Sequence, residues 1–293
     1  ERNHIFMTRA GTLSIVATPI GNLGDFSPRA AEVLAAADII ACEDTRVTKK
    51  LLRLTGTPIS GKIVAYHDHN GKKMRPYLIE RISKGDHVAL VSDAGTPLIS
   101  DPGYKLVAAC RDHGLCVTTT PGPSAAIAAL TISGLPSDRF LFAGFVPTAQ
   151  KAREKQFAEL ASLSATSIWF DTPSRLARSL SDMASVFGNR QACVAREITK
   201  LHEEALHGSL GDLAADLQAK PPMKGEVVIV VAGRNIEDTL IDGDALAAML
   251  RAEMDGQRLR DAVAAVVAAT GIAKNRVYKL ALEIAKQDSG AAD

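Results

Sequence analysis

Short apolar runs alternate with helical segments along the first half of the chain, and this alternation constrains the fold more than any other sequence feature. Five such runs begin at Leu13, Ala37, Ile63, His87 and Cys116, and each leads into a segment with helical patterning. Strands that alternate with helices of this length predict a parallel sheet with helices on both faces. The runs do not alternate strictly between apolar and polar residues, which favours burial on both faces.

The second half of the chain predicts another α/β unit and then a small helical unit. Strands are expected at five positions between Phe140 and Ala232, and we expect them to form a mixed sheet. Three further helices are expected between Asp244 and Ala285. The predicted organisation is a loose leader over residues 1–11, an N-terminal α/β domain over 12–122, a second α/β domain over 123–236 and a C-terminal helical, helix-turn-helix-like domain over 242–290.

Charge balance and apolar content exclude several classes of protein. Apolar residues make up 46% of the 293 residues and charged residues 23%, which is typical of a globular chain and excludes a disordered one. The formal net charge is +1, whereas a protein that coats nucleic acid indiscriminately is usually far more basic. No apolar run is long enough to span a bilayer. We therefore expect no membrane contact and a cytoplasmic location.

Neither the cysteines nor the histidines predict a metal site. No C-x-x-C pair occurs, so we interpret all four cysteines as buried free thiols: Cys42, Cys110, Cys116 and Cys193. His67 and His69 flank Asp68 at a strand end, but no further cluster of ligand residues accompanies them. We interpret these residues as polar groups that face a substrate.

A polar or Gly/Pro-rich cluster follows each of the five predicted strands, at the edge where sheets of this kind bind ligands. The clusters are TPIGN (18–22), EDTR (43–46), HDHN (67–70), DAGTP (93–97) and PGPS (121–124). Pro19 and Gly21 stand where a dinucleotide-binding protein has G-x-G-x-x-G, and they favour an uncharged or cationic ligand. Asp93 precedes a glycine turn and is placed to attract such a ligand. We interpret Asp101 as the N-cap of a helix that begins at Pro102.

These clusters occur in order with further motifs: LPSDRF (135–140), GFVP (144–147), FDTPSR (170–175), ARE-TK (195–200) and KGE (224–226). Together they resemble the small-subunit ribosomal RNA ribose methyltransferases of the tetrapyrrole-methylase superfamily, from Leu13 to about Leu282. The departures, at Asp171-Thr172 and Ile198, are small.

The resemblance implies two α/β domains of the tetrapyrrole-methylase type, with S-adenosylmethionine bent in the cleft between them, usually within a homodimer. It also implies methyl transfer to the ribose 2′-hydroxyl of a cytidine in the decoding region of ribosomal RNA in the small ribosomal subunit. The residues that it implies for the cofactor are Pro19, Ile20, Asp93, Thr96, Ser124, Ala125, Phe170, Ala195 and Glu226.

Glu43, Asp44 and Arg46 allow two interpretations. In the catalytic one, Glu43 or Asp44 accepts the proton of the ribose hydroxyl, and Arg46 holds one of those carboxylates or a phosphate. In the structural one, the three residues form a salt-bridged helix start with Asp44 as the N-cap. The sequence leaves both interpretations open.

Basic and polar residues around the predicted cleft are candidates for contact with RNA, although each is also typical of a solvated surface. The candidates are His67, Asp68, Arg175, Arg196, Lys200, Lys274, Arg276 and Lys279. The last three follow Gly271 in a helix–turn–helix pattern, which favours contact with RNA or the ribosome. The alternative is a helical bundle that closes a dimer.

Two other functions compete with this one. A tetrapyrrole-type methylase of a small molecule would have the same fold, but the basic C-terminal helices and the CEDTR and HDHN clusters argue against it. A non-catalytic nucleic-acid-binding protein would not explain functional residues at five successive strand ends.

Overall fold

The computed structural model describes residues 11–221, 224–234, 243–255, 257–270 and 274–290, without the side chains of residues 243, 244, 268, 274–276 and 286–290. The predicted leader therefore lies outside the described residues, except for Gly11. The domain boundaries given above stay a prediction.

Strands and helices alternate through the first half, as the sequence predicts. The elements are β1 (Thr12–Val16), α1 (Pro28–Ala36), β2 (Ile39–Cys42), α2 (Thr45–Leu54), β3 (Lys62–Ala65), α3 (Asp68–Ser83), β4 (His87–Val91), α4 (Tyr104–Asp112), β5 (Cys116–Thr120) and α5 (Ala125–Ile132). The five strands form one sheet in the order β3-β2-β4-β1-β5. Every pairing in it is parallel, which confirms the predicted parallel sheet.

A second sheet and a helical unit make up the rest of the chain. The elements are β6 (Phe140–Phe145), α6 (Gln150–Leu160), β7 (Thr166–Asp171), α7 (Leu176–Phe187), β8 (Gln191–Arg196), β9 (Glu204–Ser209), α8 (Leu210–Gln218), β10 (Val227–Val231), α9 (Gly243–Met254), α10 (Leu259–Thr270) and α11 (Lys274–Gly290). The second sheet has the order β6-β7-β10-β8-β9. Only β6 and β7 pair in parallel, so the predicted mixed sheet is confirmed.

Both faces of the first sheet are buried, because helices cover each of them. Leu13 and Leu90 share one apolar cluster with residues of α3 and α4. Val16 and Val91 share the opposite cluster with residues of α1 and α2. This burial leaves the carboxyl edge of the sheet as the place where polar side chains collect.

The prediction that all four cysteines are buried is wrong. Cys116 is exposed, whereas the other three cysteines are buried. It lies on β5, at the edge of the sheet, and most of that strand is only partly covered. An edge strand has a neighbour on one side alone, so its side chains bury less surface.

Adjacent residues of β7 face opposite sides of the second sheet, because side chains alternate along a strand. Trp169 packs with Phe157 and Leu180 in the cluster formed with α6, α7 and α8. Phe170 belongs to the cluster on the other face, where α5 covers the sheet. That second face also forms a wall of the cavity described below.

Side-chain oxygens cap the first turns of α1 and α2. Ser27 Oγ accepts a hydrogen bond from the Ala30 amide at 3.1 Å, and Pro28 occupies the first helical position. Asp44 caps α2 by accepting a bond from the Arg46 amide at 2.8 Å.

The three C-terminal helices share their own apolar core. Leu250 from α9, Val266 from α10 and Val277 from α11 are fully or almost fully buried in it. None of the helices in the described ranges is both long enough and apolar enough to cross a membrane.

Candidate functional site

Backbone and side-chain hydrogen bonds connect the loops that follow β1, β4 and β5. The Thr18 amide donates to the Gly95 carbonyl at 2.9 Å, and the Gly95 amide donates back at 3.1 Å. Thr96 Oγ1 donates to the Pro123 carbonyl at 2.9 Å. Gly95 has φ +80°, a conformation that glycine adopts without strain. Three strand ends therefore form one continuous floor.

A cavity of about 340 Å³ lies between this floor and the inner face of the second sheet. Its apolar lining is Ile20, Ala94, Ala125, Ile99, Phe145, Phe170, Ile198, Val227 and Val228. Its polar lining is Asp93, Thr96, Ser100, Asp101, Ser124, Asp171, Thr172 and Glu226. A mostly apolar wall with a few convergent polar groups is typical of a small-molecule site.

The cavity brings together every residue predicted for the cofactor except Pro19 and Ala195. Ala195 is fully buried on β8, in the cluster with α5. Pro19 precedes Ile20, whose side chain does line the cavity. The role of all these residues as cofactor ligands stays a prediction.

An aromatic wall closes one side of the cavity. Phe170 makes edge-on contacts with Phe142 and Phe145, with ring centroids 4.9 and 5.4 Å apart. Phe145 was not among the predicted site residues, because β6 and β7 are 20 residues apart in the sequence and only their pairing joins them. Ring faces of this kind offer a flat apolar surface to a heterocyclic ligand.

The interpretation of Asp101 as a helix N-cap is wrong. Helix α4 begins at Tyr104, and Gly103 takes the N-cap position. Asp101 instead lines the cavity. Leu98 and Ser100 have φ of +76° and +66°, so the chain turns through left-handed conformations before it reaches the acid. The sequence gives no signal for two such non-glycine residues.

The environment of Asp101 disfavours its charged form. Burial, together with the negative charges of Glu43 and Asp93, raises the pKa of its carboxyl to about 6. A hydrogen bond with the Ser92 side chain opposes this shift. Asp101 therefore titrates close to neutral pH, unlike an ordinary aspartate.

A more open recess of about 460 Å³ adjoins the cavity and shares Asp93 with it. Its lining is Glu43, Asp44, Thr45, Arg46, Ala65, His67, His69 and Asp93. Asp93 Oδ1 accepts a hydrogen bond from the Asp44 amide at 3.0 Å, which ties the end of β4 to the start of α2. The recess thus joins the predicted catalytic residues and His67 beside the cavity.

Asp44 and Glu43 differ in what surrounds them. The Asp44 carboxylate accepts side-chain bonds from Arg46, as close as 2.6 Å, and these bonds lower its pKa to about 2. The structural interpretation of Asp44 and Arg46 as a salt-bridged helix start is therefore confirmed. Burial, and then the negative charges of Asp93 and Asp68, raise the pKa of Glu43. Glu43 is consequently the better proton acceptor of the two.

The remaining polar candidates lie at the rim. His67 is half-buried, with its ring 5.9 Å from that of His69. Asp68 is the exposed first residue of α3. In the part of the chain that the structure describes, no group of three or more His, Cys, Asp or Glu side chains could hold a metal ion.

Two arginines at this rim, which the sequence predicts as candidates for contact with RNA, are paired with carboxylates of the chain itself. Arg175 Nη2 lies 2.7 Å from Oδ1 of the buried Asp171. Arg196 Nη2 lies 3.2 Å from Glu204 Oε2. A phosphate at either arginine would have to compete with that internal partner.

Lys200 joins both sides of the cleft. Its Nζ lies 2.9 Å from Glu197 Oε1 and 2.8 Å from Glu226 Oε2, both on the side of the second sheet. Its aliphatic stem lies against Gly21 in the loop after β1, where an added Cβ would come 2.5 Å from Lys200 Cγ. Glycine at position 21 permits this approach.

The C-terminal candidates are only partly visible. Lys279 is exposed on α11. The side chains of Lys274 and Arg276 lie outside the described residues.

Two family models match the sequence. One is described as Tetrapyrrole (Corrin/Porphyrin) Methylases and covers residues 12–214. The other is described as RsmI C-terminal HTH domain and covers residues 241–285. The second match agrees with the predicted helix-turn-helix-like unit.

Curated relatives and solved structures extend these matches. Ribosomal RNA small subunit methyltransferase I of Mesorhizobium japonicum is 47% identical over 283 residues, covering 96% of this chain and 94% of the relative. The protein of that name from Escherichia coli O157:H7 is 44% identical, covering 93% and 95%. A diphthine synthase structure has a TM-score of 0.56 at 16% identity, covering 77% of this chain and 90% of its own. Uroporphyrin-III-C-methyltransferase from Thermus thermophilus has a TM-score of 0.53 at 19% identity, covering 75% and 94%.

The two solved structures are only 16% and 19% identical to this chain, so they support the fold alone. The predicted fold, a parallel-sheet unit and a mixed-sheet unit of the tetrapyrrole-methylase type followed by C-terminal helices, is confirmed.

Proposed function

The chain belongs to the tetrapyrrole methylase family, and from this premise we propose that it methylates the ribose 2′-hydroxyl of a cytidine in the decoding region of small-subunit ribosomal RNA, with S-adenosylmethionine as donor. The observation that carries the proposal is the 47% identity, over 96% of the chain, to a relative named as a small-subunit ribosomal RNA methyltransferase. A small-molecule methylase would leave the match to the C-terminal HTH family unexplained.

The cavity fits S-adenosylmethionine in size and chemistry. Its volume of about 340 Å³ lies within the range of ligand sites. Phe145 and Phe170 would hold the adenine ring, and Thr96 and Ser124 would supply polar contacts. Asp93 lines the cavity and would place negative charge near a positively charged ligand. When bound, this cofactor supplies a methyl group on a positively charged sulfur.

Glu43 serves as the proton acceptor in this proposal. A ribose hydroxyl is a weak nucleophile until its proton leaves, and a positioned base contributes about 10²- to 10⁴-fold in rate. The carboxylate of Glu43 takes that proton as the ribose oxygen forms its bond to the methyl carbon. The bound donor would supply the methyl group and would leave as the uncharged sulfide. Asp44 and Arg46 cap α2 and thereby position Glu43.

RNA contact in this proposal comes from the rim and from the C-terminal helices. Arg175, Arg196 and Lys200 would exchange their internal carboxylates for phosphates. On α11, Lys279 is exposed and would meet RNA together with Lys274 and Arg276. Phosphate contacts of this kind weaken as salt rises.

We also propose a homodimer, on the ground of apolar side chains that stay exposed. Phe140 and Leu141 lie on the edge strand β6 and are 45% and 37% exposed, and Leu201 is 92% exposed. Large exposed apolar groups often mark an interface. Sedimentation equilibrium that gives twice the 31.0 kDa chain mass would agree with a dimer.

The substrate is tested with labelled S-adenosylmethionine and small ribosomal subunits from a strain that lacks this chain. Label is expected on one cytidine ribose, which mass mapping of the RNA identifies. Subunits from the parent strain are the control and are expected to accept little label, because their site is already methylated. Label on a tetrapyrrole and none on the particle would reject the proposal.

Removal of residues 242–293 is expected to lower activity on the particle at least about tenfold, because the C-terminal helices then no longer add phosphate contacts. Affinity for S-adenosylhomocysteine is expected to stay the same, because none of the deleted residues that the structure describes lines the cavity. Calorimetry measures that affinity and also shows that the remaining chain is folded. Undiminished activity on the particle would assign these helices a structural role only.

A further inference from the structure

The backbone that leads to Asp101 adopts conformations that residues other than glycine disfavour. Leu98 and Ser100 adopt left-handed φ values of +76° and +66°, which side-chain-bearing residues rarely do. Gly103 follows with φ +142°, and a Cβ there would lie 2.8 Å from Leu90 Cδ2. A role as helix N-cap would not require these unusual backbone conformations around Asp101. Strain of this kind persists where the surrounding structure enforces it, and it concentrates at ligand sites.

Negative charge converges on the same side of the cavity from three elements. Asp101 comes from the loop before α4, Asp93 from the end of β4 and Glu43 from the end of β2. Asp93 and Asp101 both line the cavity, and Glu43 lines the adjoining recess. Burial and these neighbouring charges raise the pKa of Asp101. An ionised Asp101 is therefore stabilised by any cation that enters the cavity.

We propose that Asp101, with Asp93, makes the cavity select the positively charged methyl donor over its uncharged demethylated product. This inference rests on the proposed function. Donor and product share the adenosine, amino and carboxyl groups, so contacts with Phe170, Thr96 or Ser124 do not distinguish them. They differ in one methyl group and one positive charge. The half-buried Asp101 carboxylate is partly withdrawn from water, so it responds to that charge, and its attraction for the ligand weakens once the methyl group has left.

The sign of the pH dependence follows from the state of Asp101. Its pKa of about 6 means that the carboxyl is ionised at pH 7.5 and protonated at pH 5. Donor affinity is expected to fall as pH drops through this range, while product affinity changes much less. Donor and product share an amino group and a carboxyl group, and titration of these groups changes both affinities alike. Their effect therefore cancels in the ratio of the two affinities. Glu43 and Asp93 act on the same region, so a variant is needed to assign the effect to Asp101.

Calorimetry on the full chain tests the proposal with three probes: S-adenosylmethionine, S-adenosylhomocysteine, and sinefungin, an analogue with an ammonium group in place of the sulfonium. Asp101→Asn is expected to weaken both cationic probes by about 10- to 100-fold at pH 7.5, because a pKa shift of one to two units corresponds to that change in affinity. Affinity for S-adenosylhomocysteine is expected to change less than about twofold. Asp112→Asn, at an exposed position of α4, is the matched control and is expected to change none of them.

The outcomes separate this inference from the proposed function. Wild-type protein that binds none of the probes would contradict the proposed function itself. Wild-type protein that binds all three, with an Asp101→Asn variant that loses all equally or none, overturns the inference alone. A donor-to-product affinity ratio that is constant from pH 5 to pH 7.5 in wild-type protein also overturns it, and that measurement requires no variant.

Discussion

Glu43→Gln is expected to lower the single-turnover rate of methyl transfer to the small ribosomal subunit by about 10²- to 10⁴-fold. The amide keeps the size of the side chain but cannot accept the hydroxyl proton. Glu43 lines the recess beside the cavity rather than the cavity itself. Affinity for S-adenosylmethionine is therefore expected to stay nearly the same, as measured by calorimetry.

Asp44→Asn is the informative comparison for Glu43. Asparagine still caps a helix, and the pKa of Asp44, near 2, makes its carboxylate a poor proton acceptor. We expect only a small loss of rate for this variant. Glu80→Gln, at an exposed position of α3, is the control for loss of an acid elsewhere. An unchanged rate in Glu43→Gln would remove Glu43 from the mechanism.

The pH–rate profile gives an independent check on Glu43. The base must be ionised to act, and burial together with nearby carboxylates raises its pKa above the ordinary value for glutamate. The rate is therefore expected to rise with pH through that raised pKa and then to level off. The Gln variant is expected to lose this limb of the profile.

Trp169→Ala is expected to lower the free energy of unfolding by about 3–5 kcal/mol. Trp169 is fully buried, meets Phe157 edge to face at 5.2 Å between ring centroids, and donates Nε1–H to Ser167 Oγ at 3.0 Å. Truncation removes this packing and leaves a cavity that the sheet and helices α6 and α7 cannot readily close. A loss of this size is a large fraction of the stability of a typical domain.

The measurement is urea unfolding followed by far-ultraviolet circular dichroism, because Trp169 is the one tryptophan of the chain and its fluorescence is lost in the variant. Trp169→Phe retains an aromatic ring at the same place and is expected to cost clearly less than the alanine variant. A loss below about 1 kcal/mol for Trp169→Ala would show that this face of β7 does not hold the second sheet to its helices.

Local signals were sufficient for most of the fold. Ser27 followed by Pro28 fixes the start of α1, and Asp44 fixes the start of α2, because these residues satisfy free backbone amides on their own. The exposure of Cys116 could not be predicted, because it depends on β5 lying at the edge of the sheet. The order of strands arises from long-range pairing that no short segment encodes.

The candidate site was predictable where its residues follow strand ends and not where they depend on backbone turns or distant partners. Asp93 and Thr96 lie in the loop that follows β4, and both line the cavity as expected. Asp101 was misassigned because Leu98 and Ser100 reverse the chain in a conformation that their side chains disfavour. The pairing of Arg196 with Glu204 requires β8 and β9 to be neighbours, which the sequence does not reveal.

The bonds among Thr18, Gly95, Thr96 and Pro123 have a consequence for binding rates. They make the ligand site preorganised, so an arriving molecule need not supply the entropy of ordering loops, which is about 1–2 kcal/mol for each residue fixed. Association is therefore expected to show a single fast phase with a rate linear in ligand concentration, measurable by stopped flow. The chain meets this entropic cost once, when it folds, and not again at each turnover.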